Sequence, residues 1–407
     1  MSTLISRRDA MKSGSMIAVG LMAPQWLSAV TATDMVRQAK GGKGAKDTIL
    51  VVCQLSGGND GLNTVIPYSD SNYMKLRPTL GIADDKVLKI NEKVGLHPSM
   101  AAFHKLYQSG RVAIIQNVGY PKSNRSHFKS MDIWHAASPE LKYTNGWLGR
   151  YFDAMLSSGP LNPVIGLGLS TEKPRALVAD KASIPCFASL ADIQNMVGDP
   201  DMEKLLRQIQ TGATDANAKI IQQANNSAFD AMGILRDKLK GFDPKGNYGE
   251  GPFGNGFKQI AKLLATSAQT RVVYFSTGGF DTHARQAESH EKLLGGFSQA
   301  IGAFQDEIEA LGIADRVMVL VFSEFGRRSY ENASGGTDHG AAAPMFLIGK
   351  KVKGGMYGPI PNLTDLEDGD LKFSIDFRQV YATALEDWMG AESQVILGSE
   401  FSRISAL

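Results

Sequence analysis

Short, nearly uninterrupted apolar runs recur along this chain, and they restrict its fold more than any other feature. Thr48–Leu55, Val112–Val118, Val164–Leu169, Val272–Ser276, Val317–Phe322 and Met345–Ile348 are each four to eight residues long and rich in Val and Ile. A strand with one wet face alternates apolar and polar residues, whereas a continuous apolar run suits a sheet covered on both sides. Helical patterns lie between the runs. His290 to Leu311 sets Leu293, Leu294, Phe297, Ala300, Ile301, Phe304, Ile308 and Leu311 on one stripe, and Phe377, Val380, Tyr381, Ala384, Leu385 and Trp388 repeat that spacing. Alternating strands and helices predict an α/β fold with a mostly parallel central sheet and helices on both faces.

Composition narrows the class. A chain of 407 residues with 43% hydrophobic and 21% charged content is not disordered, a coiled coil, a collagen or a multi-pass membrane protein. Its two cysteines exclude a disulfide scaffold and a Cys-rich zinc module. Cys53 reads as a core residue; Cys186 lies in the apolar stretch Ile184–Phe187, and a mid-strand partner makes a bond between the two geometrically awkward.

The formal net charge is +2, and Arg7, Arg8 and Lys12 against Asp9 account for all of it. The neutral remainder gives no reason to expect a nucleic-acid partner or an anionic membrane surface. A basic n-region, the almost uncharged stretch Gly14–Val30 and small residues near Ala32 read as an export signal over residues 1–32, the alternative being a surface amphipathic helix. Ser6-Arg7-Arg8-Asp9-Ala10-Met11-Lys12 matches the twin-arginine type, so the expected first partner is the twin-arginine export machinery and the expected location is periplasmic or secreted. Pro24 and the short apolar length argue against a stable membrane span after cleavage. Residues 33–46 read as a polar Gly/Lys-rich linker and residues 47–407 as a single α/β domain. Within it, 190–245 is a candidate helical cap insertion, with helices over Asp201–Leu239 broken around Thr211–Thr214.

In parallel sheets, sites gather beyond the C-terminal ends of strands, so the residues that follow the apolar runs carry the functional signal. The first run is followed by Ser56-Gly57-Gly58-Asn59-Asp60, where Asp60 is either a helix cap or an oxygen ligand; the G-x-G-x-x-G fingerprint is absent. The second leads to Arg125-Ser126-His127 at a helix start, where Ser126 is either an N-cap or a nucleophile and the flanking side chains could handle an oxyanion. Asp281-x-His283 places a carboxylate and an imidazole on one side of an extended segment, compatible with two ligands on one metal. Glu324 followed by Arg327 and Arg328 is either a local ion pair or a metal ligand with an anion-binding arginine. Asp338-His339, flanked by glycines, is either a solvated turn or a further ligand pair. His97, His104 and His290 read as ordinary packed or helical histidines outside the site.

As an ordered set, VVCQLSGGNDGLNTVIPY (51–68), LHPSM (96–100), NRSHFKSMDIW (124–134), GGFDTH (278–283), VFSEFGR (321–327) and GGTDHG with APMFLIG (335–349) resemble one family. It is the twin-arginine-exported bacterial family labelled domain of unknown function 1501, grouped with the alkaline phosphatase/sulfatase-like superfamily. The resemblance implies an alkaline phosphatase-like fold, Asp60 as a first-strand metal ligand, Ser126 at the nucleophile position, and Asp281, His283, Asp338 and His339 as later ligands. Two departures are visible: Glu324-Phe325 stands where the superfamily often places Asp-His, and Asp60 lies four residues beyond Ser56 rather than at the strand's end. The resulting expectation is an exported metal-dependent hydrolase of small anionic phosphate or sulfate esters. A divalent cation, Zn²⁺ first with Mn²⁺, Ca²⁺ or iron as alternatives, would be held by the Asp and His set with Glu324, and Arg125 or Arg327 would bind nonbridging oxygens. The alternative is a non-catalytic exported binding or assembly module on the same fold.

Overall fold

The computed structural model describes residues 47–196 and 216–407. The export signal, the linker and the helix break around Thr211–Thr214 lie outside the described residues.

The expected apolar runs form the sheet. Its strands are β1 Ile49–Leu55, β2 Val112–Gly119, β3 Gly166–Leu169, β4 Cys186–Phe187, β5 Val272–Thr277, β6 Val317–Phe322, β7 Ala343–Ile348, β8 Gly355–Tyr357 and β9 Ile375–Asp376. The spatial order is β8-β2-β7-β6-β1-β5-β3-β4, and β9 also pairs with β2. Central β1 is parallel to β5 through Leu50–Val272 to Leu55–Thr277 and to β6 through Ile49–Val317 to Gln54–Phe322. Among the described strands of this sheet, β7 alone runs against its neighbours, β6 and β2. Its connection from β6 is a loop that turns back at the same edge rather than a helix that crosses over, so the chain re-enters antiparallel. The strands β4, β8 and β9 lack a recognisable apolar run because each has only two or three residues.

Successive side chains of β1 enter opposite cores. Ile49, Val51, Cys53 and Leu55 pack with Phe103 and Leu106 of α1 (Ala101–Gln108), Met232 of α4 (Ala216–Lys238), Phe257 of α5 (Pro252–Thr266) and Phe297 of α6 (Gln286–Ala310). Leu50 and Val52 face Trp134 of α2 (His127–Ala136), Leu148 of α3 (Trp147–Met155) and Val380 of α7 (Phe377–Thr383). Two dry faces explain the lack of polar alternation, and each fully buried aliphatic side chain contributes about 1.5–3 kcal/mol. Trp134 stacks on Phe322 at 5.3 Å and Trp147 on Tyr381 at 4.4 Å between ring centroids. The C-terminal helical stripe is not uniform: α7 continues as a wider π turn over Ala384–Trp388, and Trp388 Nε1 donates to the Ile49 carbonyl at 2.9 Å. Both cysteines are free, Cys53 buried and Cys186 partly covered.

The parallel strands β1, β2, β5 and β6 end on one rim, and the loop from β6 to β7 leaves and re-enters there. Strand direction therefore delivers residues distant in sequence to one edge.

Candidate metal centre

Close backbone packing at the rim begins with Gly57, whose φ is +120°. A Cβ there would lie 2.4 Å from the Asp281 nitrogen, so glycine lets the loops after β1 and β5 touch. The Gly57 N–H donates to Glu324 Oε1 at 2.8 Å, which brings the loop after β6 into the same contact.

Three imidazoles meet above this junction, and each has its Nδ1 committed to an oxygen. His127 Nδ1 lies 2.9 Å from Glu324 Oε1, His283 Nδ1 lies 2.9 Å from Asp338 Oδ1, and His339 Nδ1 lies 2.7 Å from the Arg125 carbonyl. Carboxylates and carbonyls only accept, so each Nδ1 carries the hydrogen, and in its neutral form each ring presents an Nε2 lone pair on its other side. Those lone pairs converge on Asp281. His283 Nε2 and His339 Nε2 each lie 3.0 Å from Asp281 Oδ1, His127 Nε2 lies 3.4 Å from it, and the Nε2 atoms of His283 and His339 are 2.9 Å apart. Ligand atoms of His127, Asp281 and His339 all fall within 4.8 Å of one another. His127 Nε2 is buried and has no hydrogen-bond partner among the described residues.

Acceptors crowded this closely repel unless a cation lies among them. Tetrahedral ligation with bonds near 2.1 Å separates ligand atoms by roughly 3.4 Å, close to the spacings observed here. Imidazole nitrogens and a carboxylate oxygen brought together in this way, as on His127, Asp281 and His339, could hold a divalent metal ion. Oxygen acceptors behind metal-binding imidazoles are the usual means of fixing tautomer and raising basicity. The hydrogen bond that His127 donates to Glu324 accordingly raises the His127 pKa above the ordinary histidine value. Burial acts to raise the Asp281 pKa, but the Arg327 guanidinium that donates to it outweighs burial and holds the carboxyl far below its usual range. The hydrogen bond from His283 likewise lowers the Asp338 pKa.

Several expected roles change. Asp60 is not brought to the imidazoles: it is buried and accepts from Arg77 Nη1 and Gln286 Nε2. The buried guanidinium compensates its charge, so the position expected to hold a metal is an internal ion pair. Arg327, expected to bind substrate oxygens, has a side chain with no solvent exposure. Its Nε donates to the Gly58 carbonyl, its Nη1 to Thr337, and its Nη2 to Phe280 at 2.8 Å and to Asp281 Oδ1 at 2.7 Å, besides the Gly57 carbonyl. It ties the rim loops together and presents no donor to solvent. Glu324 and Asp338, expected as ligands, stand behind imidazoles, because they meet Nδ1 while Nε2 faces inward. His127, expected as an oxyanion-handling side chain, turns its Nε2 toward Asp281 alongside those of His283 and His339.

Ser126 is exposed at the N-cap of α2, and its hydroxyl makes no capping bond. Both of its chain neighbours touch the cluster, Arg125 through its carbonyl and His127 through its ring. The Arg125 guanidinium donates to Asp370 Oδ2 at 2.9 and 2.6 Å and keeps a partly exposed side chain. Sequence reasoning missed Arg77 and Gln286, which lie in no motif, and Thr337, which stands inside GGTDHG without ligand chemistry of its own; the i, i+4 spacing of Thr282 and Gln286 at a helix start is a further local hint.

The chain matches the family described as Protein of unknown function (DUF1501) over residues 45–399 and belongs to it. No curated protein matches it. Among solved structures, the sulfatase PsFucS1 from Pseudoalteromonas sp. is similar with 9% identity over 98% of this chain and 75% of that one, at a TM-score of 0.39. The C-terminal periplasmic domain of EcEptC from Escherichia coli, in complex with Zn, has 8% identity over 77% of each chain and a TM-score of 0.37. A protein in the alkaline phosphatase superfamily from Vibrio parahaemolyticus has 10% identity over 88% of this chain and 72% of that one, with a TM-score of 0.36.

Proposed function

We propose that this member of the DUF1501 family is an exported, metal-dependent hydrolase of phosphate or sulfate esters, with Ser126 as nucleophile. The supporting observation is the set of three imidazoles whose Nδ1 atoms are tied to Glu324, Asp338 and the Arg125 carbonyl while their Nε2 atoms converge on Asp281. His127, Asp281, His283 and His339 would hold one divalent cation, Zn²⁺ by donor type. Bound there, the cation would neutralise charge on the ester oxygens and lower the pKa of a nearby hydroxyl.

The chain's own residues account for the remaining chemistry. Ser126 Oγ is free of capping bonds at a helix start, where unpaired N–H groups and the macrodipole favour an anionic group. Its attack on phosphorus or sulfur forms the O–P or O–S bond and displaces the alcohol; water then releases the inorganic anion and restores the hydroxyl. Arg125 is placed to attract nonbridging oxygens in competition with Asp370, while Arg327 holds Asp281 ionised. Residues 1–32 would direct the folded protein through the twin-arginine machinery to the periplasm or beyond.

The test is elemental analysis of the protein after native export, coupled to turnover of a panel of phosphate and sulfate esters. One zinc-type ion per chain, with ester hydrolysis abolished by S126A while the metal is retained, supports the reading. Hydrolysis that survives S126A replaces the serine by an activated water. Metal retained with no turnover on any ester supports a binding module, and absence of metal with unimpaired hydrolysis in chelator rejects the proposal.

A further inference from the structure

We propose that Gln286 is a positioning residue that sets the spacing of the two principal ligand-bearing loops, and through it the affinity of the site for its cation. This rests on the reading above that the site holds one. Gln286 is the first residue of α6 and is fully buried. Its Oε1 accepts from Thr282 Oγ1 at 3.0 Å and from Thr337 Oγ1, while its Nε2 donates to Asp60 Oδ2. Thr282 lies between Asp281 and His283, and Thr337 immediately precedes Asp338-His339. One amide thus joins both loops and fastens them to Asp60.

Asp60 is itself a fixed point. Arg77, which pairs with it, also donates to the Ser329 carbonyl at 3.0 Å, the Arg328 carbonyl at 2.9 Å and Asn63 Oδ1 at 2.8 Å. The backbone follows the same pattern: Gln286 N–H donates to the Gly335 carbonyl at 2.8 Å, and Thr337 N–H to the Thr282 carbonyl at 3.2 Å. The two loops carry Gly278, Gly279, Gly335 and Gly336, so their backbone has wide intrinsic freedom and a buried tether has leverage over it. An amide fits the position chemically, because its carbonyl takes two hydroxyl donors while its NH₂ serves a carboxylate. Leucine would take the acceptor from Thr337 Oγ1 and one of two donors from Asp60, and glutamate would set a second carboxylate against Asp60.

The experiment measures Zn²⁺ affinity of the folded chain by chelator competition, with Co²⁺ absorption as a second view of ligand geometry. Q286L and the near-isosteric T337V are expected to weaken Zn²⁺ binding by about 10-fold, the lower end of the range for losing a direct outer partner of a metal ligand, because they act one bond further out, and to alter the Co²⁺ spectrum. T337S keeps the hydroxyl and is expected to retain wild-type affinity. S298A serves as the control for general destabilisation, because it removes the buried acceptor of Phe103 N–H about 18 Å further along α6. It should lower thermal stability and leave affinity unchanged. If Q286L and T337V lose stability but bind Zn²⁺ as wild type does, the residue is merely structural and the inference is overturned. Should Q286L not fold, T337V decides alone. A wild-type chain that takes up neither Zn²⁺ nor Co²⁺ overturns the metal reading itself, a result distinguishable from either of these.

Discussion

His283 Nε2 lies 2.9 Å from His339 Nε2, although the Nδ1 of each ring is already committed to an oxygen acceptor. Two neutral imidazoles fixed this way face each other lone pair to lone pair, which a shared cation or proton must relieve. The two residues are 56 positions apart in the chain.

Cation binding should therefore stabilise the native state. Zn²⁺ at a thousandfold excess over its dissociation constant is expected to add about 4 kcal/mol. Thermal unfolding with and without Zn²⁺ checks this, and H339A should show no such increment.

The Asp60–Arg77 pair should resist half-removal. R77M leaves a buried, uncompensated carboxylate and is expected to cost about 3–5 kcal/mol. Adding D60N removes the stranded charge and should recover part of the loss; urea unfolding of both variants measures the difference. Equal stability of R77M and wild type would contradict the internal ion pair.

Ser126 separates catalysis from stability. An N-cap serine usually contributes about 1 kcal/mol through its side-chain bond, but this one makes none. S126A is accordingly expected to fall within about 0.5 kcal/mol of wild type, as other surface substitutions do, with metal content unchanged and ester turnover lost. Unfolding curves, elemental analysis and a rate assay on one preparation report all three.

Acid should weaken the metal-free fold through histidines away from the cluster. Burial lowers the His290 pKa to about 4 and the His135 pKa to about 3, with the charge of Arg175 also depressing the latter. Both values lie below the unfolded value near 6.5, so the unfolded chain binds more protons as pH falls. The stabilisation is complete above pH 6.5 and is lost on acidification through the folded values, at up to about 1.4 kcal/mol per pH unit for each histidine. Chelator-treated protein unfolded in urea at a series of pH values between 7 and 4.5 measures the slope, and H135Q should reduce it by one proton.

The architecture was legible because burial on both faces leaves a local mark: Val317–Phe322 is apolar at every position, and the structure begins and ends β6 at those same residues. The rim was legible for the same reason, since parallel strands end together. The antiparallel return of β7 left no such mark, because side-chain pattern reports burial and not direction. Strands of two or three residues, such as Ile375–Asp376, are too short to show a period.

Which polar residues occur at the strand ends followed from the amino-acid order alone: Asp281 with His283, Asp338 with His339, and Glu324. Their division of labour did not. The second atom on each imidazole decides whether a neighbouring carboxylate becomes a ligand or a support, and that depends on ring orientation across loops far apart in sequence. Asp60 became an ion-pair partner because Arg77 folds onto it, and Arg327 became a buried tie because backbone carbonyls from separate loops surround it. Local order set burial and the supply of chemical groups. Three-dimensional packing set the pairings among them, because hydrogen bonds and charge compensation act over a few ångströms of space, whatever the distance along the chain.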